Sequence, residues 1–300
     1  MKVRPGSAPI SWGLCEIPDW GPQLPAARVL GEMQAAGYQG TELGPRGFLP
    51  TDAAELAVAL QSRGLELAAA FLFLDLNDQD ADAVCEARVR ETAQLLQRLG
   101  ARHILLADAG DEVRYQVAGR PELVRRHGLT SPEWVRFTRR LERLAQVCRF
   151  DYGLVPCFHP HGATYVESPD EIRILMDRTD PHLLMLCLDT GHVAFGGGDP
   201  MEVTHAYASR LGHIHLKDID LPRLRAVQAD GSNYVDVTKQ GVFVELGQGS
   251  LDISGLFSVL QSCQYDGWVV VEQDRVVGAE TDTLGSARRN REYLRERLGM

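Results

Sequence analysis

A chain of 300 residues with 44% apolar and 24% charged side chains has the make-up of a folded globular protein, which excludes wholesale disorder. Its net charge of −10 argues against a nucleic-acid partner. The longest apolar run, 67–74, is far too short to cross a bilayer, so no membrane partner is expected.

The segment Met1 to Gly6 lacks the apolar stretch of a signal peptide. The six cysteines are scattered and contain no CxxC pair, which suits a reducing, cytoplasmic setting. Short runs of β character then alternate with helical patterns along the chain. The runs are 6–11, 40–43, 65–74, 103–107, 154–159, 183–189, 212–216 and 268–272. Helix starts are marked between them by Asp52 with Glu55, Ser131-Pro132, Ser168 with Glu171 and Asp199 with Glu202. Cys85, Val89, Thr92, Leu96 and Leu99 trace one face of a helix over about 81–99. A last helix over about 286–298 carries a charged outer face.

Eight strand–helix alternations without a break in composition predict an α/β fold, a (β/α)8 TIM barrel, as one domain over 1–300. A doubly wound sheet would need no eighth strand, and no GxGxxG follows the first run. Two connections, 108–130 and 218–249, are long enough to reach over the mouth of such a barrel.

Strand ends in a closed barrel converge on that mouth. Here they carry Glu42, His159 with His161, Asp189 with His192, the series His213, His215, Lys217, and Glu272 with Asp274. Asp189 ends an apolar run, where a bare carboxylate is costly unless a cation or strong donors meet it. Its simpler reading is a cap on the next turn. Carboxylates and imidazoles on neighbouring strands form a mixed O/N set for one divalent ion: Mn²⁺, Co²⁺, Mg²⁺ or Zn²⁺.

Ala8-Pro9-Ile10-Ser11-Trp12-Gly13, Gly40-Thr41-Glu42-Leu43-Gly44-Pro45 and His159-Pro160-His161-Gly162 resemble the inosose dehydratases of inositol catabolism. So do Asp189-Thr190-Gly191-His192 and His215-Leu216-Lys217-Asp218. These enzymes sit among the xylose-isomerase-like barrels, together with sugar epimerases and isomerases. The resemblance implies metal ligands at Asp189, His215 and Glu272, with Mn²⁺ or Co²⁺ favoured. Epimerase relatives carry a Glu ligand at the end of the fifth strand, where this chain has His159; His159 or His161 is then the fourth ligand. The resemblance also implies a cyclic polyol-ketone substrate and glutathione as a support of turnover, although no residue here carries the latter. Barrels of this type often assemble as homo-oligomers.

Losing water from such a ketone requires a base and an acid. Lys217 shares a strand face with His215 and is the first choice, against a plain salt bridge to Asp218 or Glu245. His192 either delivers a proton to the leaving group or orients a ligand carboxylate. Glu42 is the other acid–base group or a buried hydrogen-bond partner. His161, Trp12 and Glu167 are the expected substrate contacts, with Arg114, Tyr115 and Arg120 of the 108–130 connection as further donors. A ketose isomerase or epimerase would use the same metal and lose no water. A barrel endonuclease would need more ligands and a basic cleft, and a non-catalytic sugar-binding barrel would have little use for a full ligand set.

Overall fold

The computed structural model describes residues 2–300 apart from 16, 18, 19, 79 and 279. The barrel strands are β1 (Val3–Ser7), β2 (Gly40–Glu42), β3 (Glu66–Leu74), β4 (His103–Asp108), β5 (Val155–Phe158), β6 (Met185–Asp189) and β7 (Leu211–Leu216). A short ribbon, β8 (Asp218–Ile219) with β9 (Phe243–Val244), precedes the last barrel strand, β10 (Gly267–Val271). The eight barrel strands run parallel and close in the order β1-β10-β7-β6-β5-β4-β3-β2. The expected barrel is therefore the observed one. No described helix is long and apolar enough to cross a membrane.

The first strand begins earlier than 6–11 suggests. Pro5 reads as a break because it lacks an N–H, yet its carbonyl accepts from Gln39 N–H at 2.9 Å and it stays in register opposite Val269. Pro9–Trp12, read as strand, is a single 3₁₀ turn that Gly13 ends at φ 76°. The helix Asp82–Arg98 buries Cys85, Val89, Ala93 and Leu96, so Ala93 takes the inward place assigned to Thr92. Ser168 and Glu171 form the expected reciprocal cap, whereas the box beside Ser131 is made by Thr130 and Glu133.

Neither long connection is irregular. The first holds helices Glu112–Val117 and Pro121–Arg126; the second holds Leu221–Gln228, Tyr234–Lys239 and the β8–β9 ribbon. Ala118, Phe195, Ile219, Leu224, Tyr234 and Phe243 pack into an apolar cluster of their own beside the mouth. Arg114 was expected among exposed loop donors, but it is fully buried and forms a bidentate pair with Glu171 at 2.9 and 3.0 Å. The planar guanidinium suits that fork geometry, and it fastens the first connection to the barrel.

Candidate active site

β6 and β7 pair with Asp189 opposite His215, and β7 and β10 pair with His215 opposite Val270. Asp189 and His215 thus lie at one level, and Glu272, two residues past Val270, follows just beyond it. His159 follows β5 and completes the group. One ligand atom from each of His159, Asp189, His215 and Glu272 lies within 4.8 Å of the other three, and all four residues are buried. His159 Nε2 is 3.1 Å from His215 Nδ1, which is 3.2 Å from Glu272 Oε2 and 3.6 Å from Asp189 Oδ2.

Asp189 caps the next turn, and its geometry also leaves room for the cation reading. Oδ1 accepts from His192 N–H at 2.8 Å and caps the helix Thr190–Phe195, while Oδ2 is buried and faces Lys217 Nζ at 3.1 Å, His159 Nε2 at 3.5 Å and His215 Nδ1 at 3.6 Å. That one amine is shared with Glu272 and Asp274, so a divalent cation among these four residues would add positive charge that the buried carboxylates still lack. The chemistry of His159 agrees. Burial pushes the His159 imidazole down to about 4, so it is neutral, as a ligand must be. Burial also pushes the nearby Cys187 thiol up to about 11, which keeps it a thiol beneath the site.

Glu42 does not face the cluster as a free acid–base group. Its Oε1 accepts from His213 Nε2 and His215 Nε2, each at 2.9 Å. Burial works against the charge on Glu42, but His215 and His213 outweigh it and hold the carboxyl below the usual range. Because the carboxylate only accepts, His215 carries a proton on Nε2 and aims Nδ1 at the cluster. Exchanging Glu42 for Gln is expected to weaken Mn²⁺ binding by about 10- to 100-fold, measured by titration of the metal-free protein. A pure acid–base role would lower turnover and leave that affinity unchanged.

Lys217 lies next to the cluster, with Nζ 3.1 Å from Asp189 Oδ2, 3.0 Å from Glu272 Oε2 and 2.8 Å from Asp274 Oδ1. Its ion pairs are thus within the site, not with Asp218 or Glu245; Glu245 pairs with Arg289. Burial alone would lower its pKa, but Asp189, Asp274 and Glu272 raise it well above the usual value. Gly191 makes this placement fit: a Cβ there would sit 2.6 Å from Lys217 Cγ. His192 Nε2 is 3.0 Å from Lys217 Nζ. His161 stands outside the four-residue group, its ring 3.8 Å from that of His192, and forms a second group with His192 and Asp274.

These residues open onto a cavity of about 470 Å³, a usual size for a small-molecule site. Glu42, His159, His161, Lys217, Glu272 and Asp274 make its polar end, and Tyr115 and Trp20 also line it. Besides Arg114, three expected contacts lie elsewhere. Trp12 is a core residue whose indole N–H donates to Glu32 at 2.7 Å. Glu167 is buried outside the cavity lining and accepts from Gly119 N–H at 2.7 Å and Ala163 N–H at 2.6 Å, so it ties two loops together. Its burial pushes the carboxyl up to about 7. Arg120 does not line the cavity either. Asp274 and Tyr234 belong to the site without having been assigned a role. Asp274 was placed at the mouth beside Glu272 by the strand-end reading, whereas nothing local in the sequence brings Tyr234 there.

The family model for xylose isomerase-like TIM barrels matches residues 30–297. An inosose dehydratase of Geobacillus kaustophilus (strain HTA426) is 33% identical over 91% of this chain and 87% of its own length. Another, from Geobacillus thermodenitrificans (strain NG80-2), is 30% identical over 100% and 98%. The chain belongs to the inosose dehydratase family of xylose isomerase-like barrels. As a member of that family it is a hydro-lyase acting on a sugar-like compound. The rhizopine catabolism protein MocC of Rhizobium meliloti is 35% identical over 92% of this chain and 82% of its own length. The solved structure of the IOLI protein with a zinc atom superposes with a TM-score of 0.71 at 15% identity, covering 99% of this chain and 98% of that one; it shares the fold.

Proposed function

We propose that this enzyme removes water from a cyclic polyol ketone of the scyllo-inosose class, giving a trihydroxycyclohexane-dione, as a metal-dependent step of inositol breakdown. The observation that carries this reading is the meeting of His159, Asp189, His215 and Glu272 around one point, with Lys217 and His192 alongside. His159 is our choice over His161 for the fourth ligand, and Mn²⁺ or Co²⁺ our choice of ion. When bound, a divalent ion supplies positive charge against the ketone oxygen.

The chain's own groups do the rest. Lys217, held protonated by Asp189, Asp274 and Glu272 in the metal-free site, would give up that proton where a bound cation neutralises Asp189 and Glu272, and is then placed to take the proton from the carbon beside the ketone. His192 is placed to give a proton to the hydroxyl one carbon further on, which departs as water as the new carbon–carbon double bond forms. The enol so produced relaxes to the dione, and no oxidant or reductant is consumed. His161, its ring tilted by 38° against that of His192, lines the cavity where a ring hydroxyl would lie. An epimerase reading is less favoured, because the site offers Glu272 but a His at the end of β5 where epimerase relatives carry a second Glu. Incubating the Mn²⁺- or Co²⁺-loaded enzyme with scyllo-inosose is expected to yield a dione chromophore. Interconversion of ketoses with no loss of water would overturn the reading in favour of the epimerase.

A further inference from the structure

Apart from Glu42, which the imidazoles of β7 hold, Asp274 is the carboxylate of the cavity that the four-residue group leaves unused. It is buried, lines the cavity, and follows β10 two residues after Glu272. Its Oδ1 lies 2.8 Å from Lys217 Nζ, and its Oδ2 lies 3.5 Å from His192 Nε2 and 3.4 Å from the hydroxyl of Tyr234. Three donors, carried on β7's end, the helix after β6 and the second long connection, therefore meet on one acceptor.

Two details separate Asp274 from the other anions around Lys217. First, the oxygens of Asp189 and Glu272 that approach Nζ, Oδ2 and Oε2, are the same atoms that face His215. A cation in that group would draw on both, leaving Asp274 as the carboxylate committed to Lys217 among the described residues. Second, the His192 ring is oriented by a donor that no change of pH removes. Gly162 N–H donates to Nδ1 at 3.2 Å, so in the neutral ring the proton sits on Nε2, on the side of Asp274.

We propose that Asp274 is a positioning residue that holds Lys217 and His192 together as one unit at the cavity wall. Without it, a cation drawing on Asp189 and Glu272 would leave the amine and the imidazole as two donors 3.0 Å apart. The role deepens the dehydratase reading and rests on it for the kinetic part of its test.

The test uses the full chain. With scyllo-inosose and Mn²⁺, Asp274→Asn is expected to lower kcat about 10²-fold, the scale of a misplaced catalytic group. KM should stay within about threefold, since substrate binding is not what is lost. Adding His192→Gln to Asp274→Asn should lower kcat by less than the product of the two single effects, because both act on one unit. Asp274→Glu, which keeps the charge, should recover part of the rate. Two further readouts need no substrate. Bound Mn²⁺ should remain stoichiometric in both variants. The chain has three lysines, Lys2, Lys217 and Lys239, so lysine-labelled protein gives three side-chain NMR signals, of which only that of Lys217 should move in Asp274→Asn. An unmoved Lys217 signal, an undiminished kcat, or loss of Mn²⁺ as complete as in Asp189→Asn overturns the proposal. If scyllo-inosose is not turned over by the unaltered enzyme, the dehydratase reading fails while the metal and NMR readouts still decide the role of Asp274.

Discussion

Asp189→Asn should leave the barrel folded and strip the enzyme of both its metal and its turnover. The two oxygens of Asp189 have separate jobs, and the amide preserves only one of them. The Asn carbonyl can still accept from His192 N–H and cap the helix Thr190–Phe195. The amide nitrogen then replaces Oδ2, placing a donor where His159 Nε2, His215 Nδ1 and Lys217 Nζ already converge at 3.5, 3.6 and 3.1 Å. A cation would meet an N–H₂ instead of an anionic oxygen. Losing a Lewis-acid contribution of about 4 kcal/mol corresponds to a fall in kcat of roughly 10³-fold. Metal content after dialysis, read beside turnover of scyllo-inosose, checks both halves. Glu272→Gln should behave alike, since Oε2 sits 3.2 Å from His215 Nδ1. Full metal content in both variants would remove these carboxylates from the coordination sphere.

The convergence behind that prediction was legible because a parallel barrel converts a one-dimensional signal into a three-dimensional one. A buried strand reads as an apolar run, and the polar residue that ends it necessarily lies at the mouth. Asp189 ends β6 and Glu272 directly follows β10, while His215 lies one residue before the end of β7. What escaped the sequence was side-chain direction within a layer. Glu42 ends β2 just as Asp189 ends β6, yet it points at two imidazoles on β7 and orients them. Loop residues escaped for another reason: their burial depends on partners far along the chain. Arg114 is buried because Glu171, 57 residues later, meets it. Trp12 follows a glycine-containing β1 and precedes Gly13, a pattern equally consistent with a substrate platform, and only Glu32 on the helix Ala26–Ala36 draws its indole into the core.

Lys217→Met tests the electrostatics of the same cluster from the opposite sign. In the metal-free protein the variant leaves Asp189, Glu272 and Asp274 buried around an apolar side chain. Removing one partner of a buried ionic group typically costs about 3–5 kcal/mol, because the remaining charges stay desolvated and uncompensated. The melting temperature of the metal-free variant should therefore fall well below that of the unaltered protein. Lowering the pH should narrow the gap, since carboxylates deprived of their cation take up protons more readily and shed the penalty as they do. Mn²⁺ should narrow it too, at constant pH, because a divalent ion returns positive charge to Asp189 and Glu272 and stabilises the folded state by mass action. Activity should not return with the metal: the variant has no group to take the proton, a loss of about 10²- to 10⁴-fold. Stability that recovers with Mn²⁺ while turnover does not would separate the charge of Lys217 from its chemistry. A thermal deficit indifferent to both pH and Mn²⁺ would mean that the lysine fills space and its ion pairs contribute nothing.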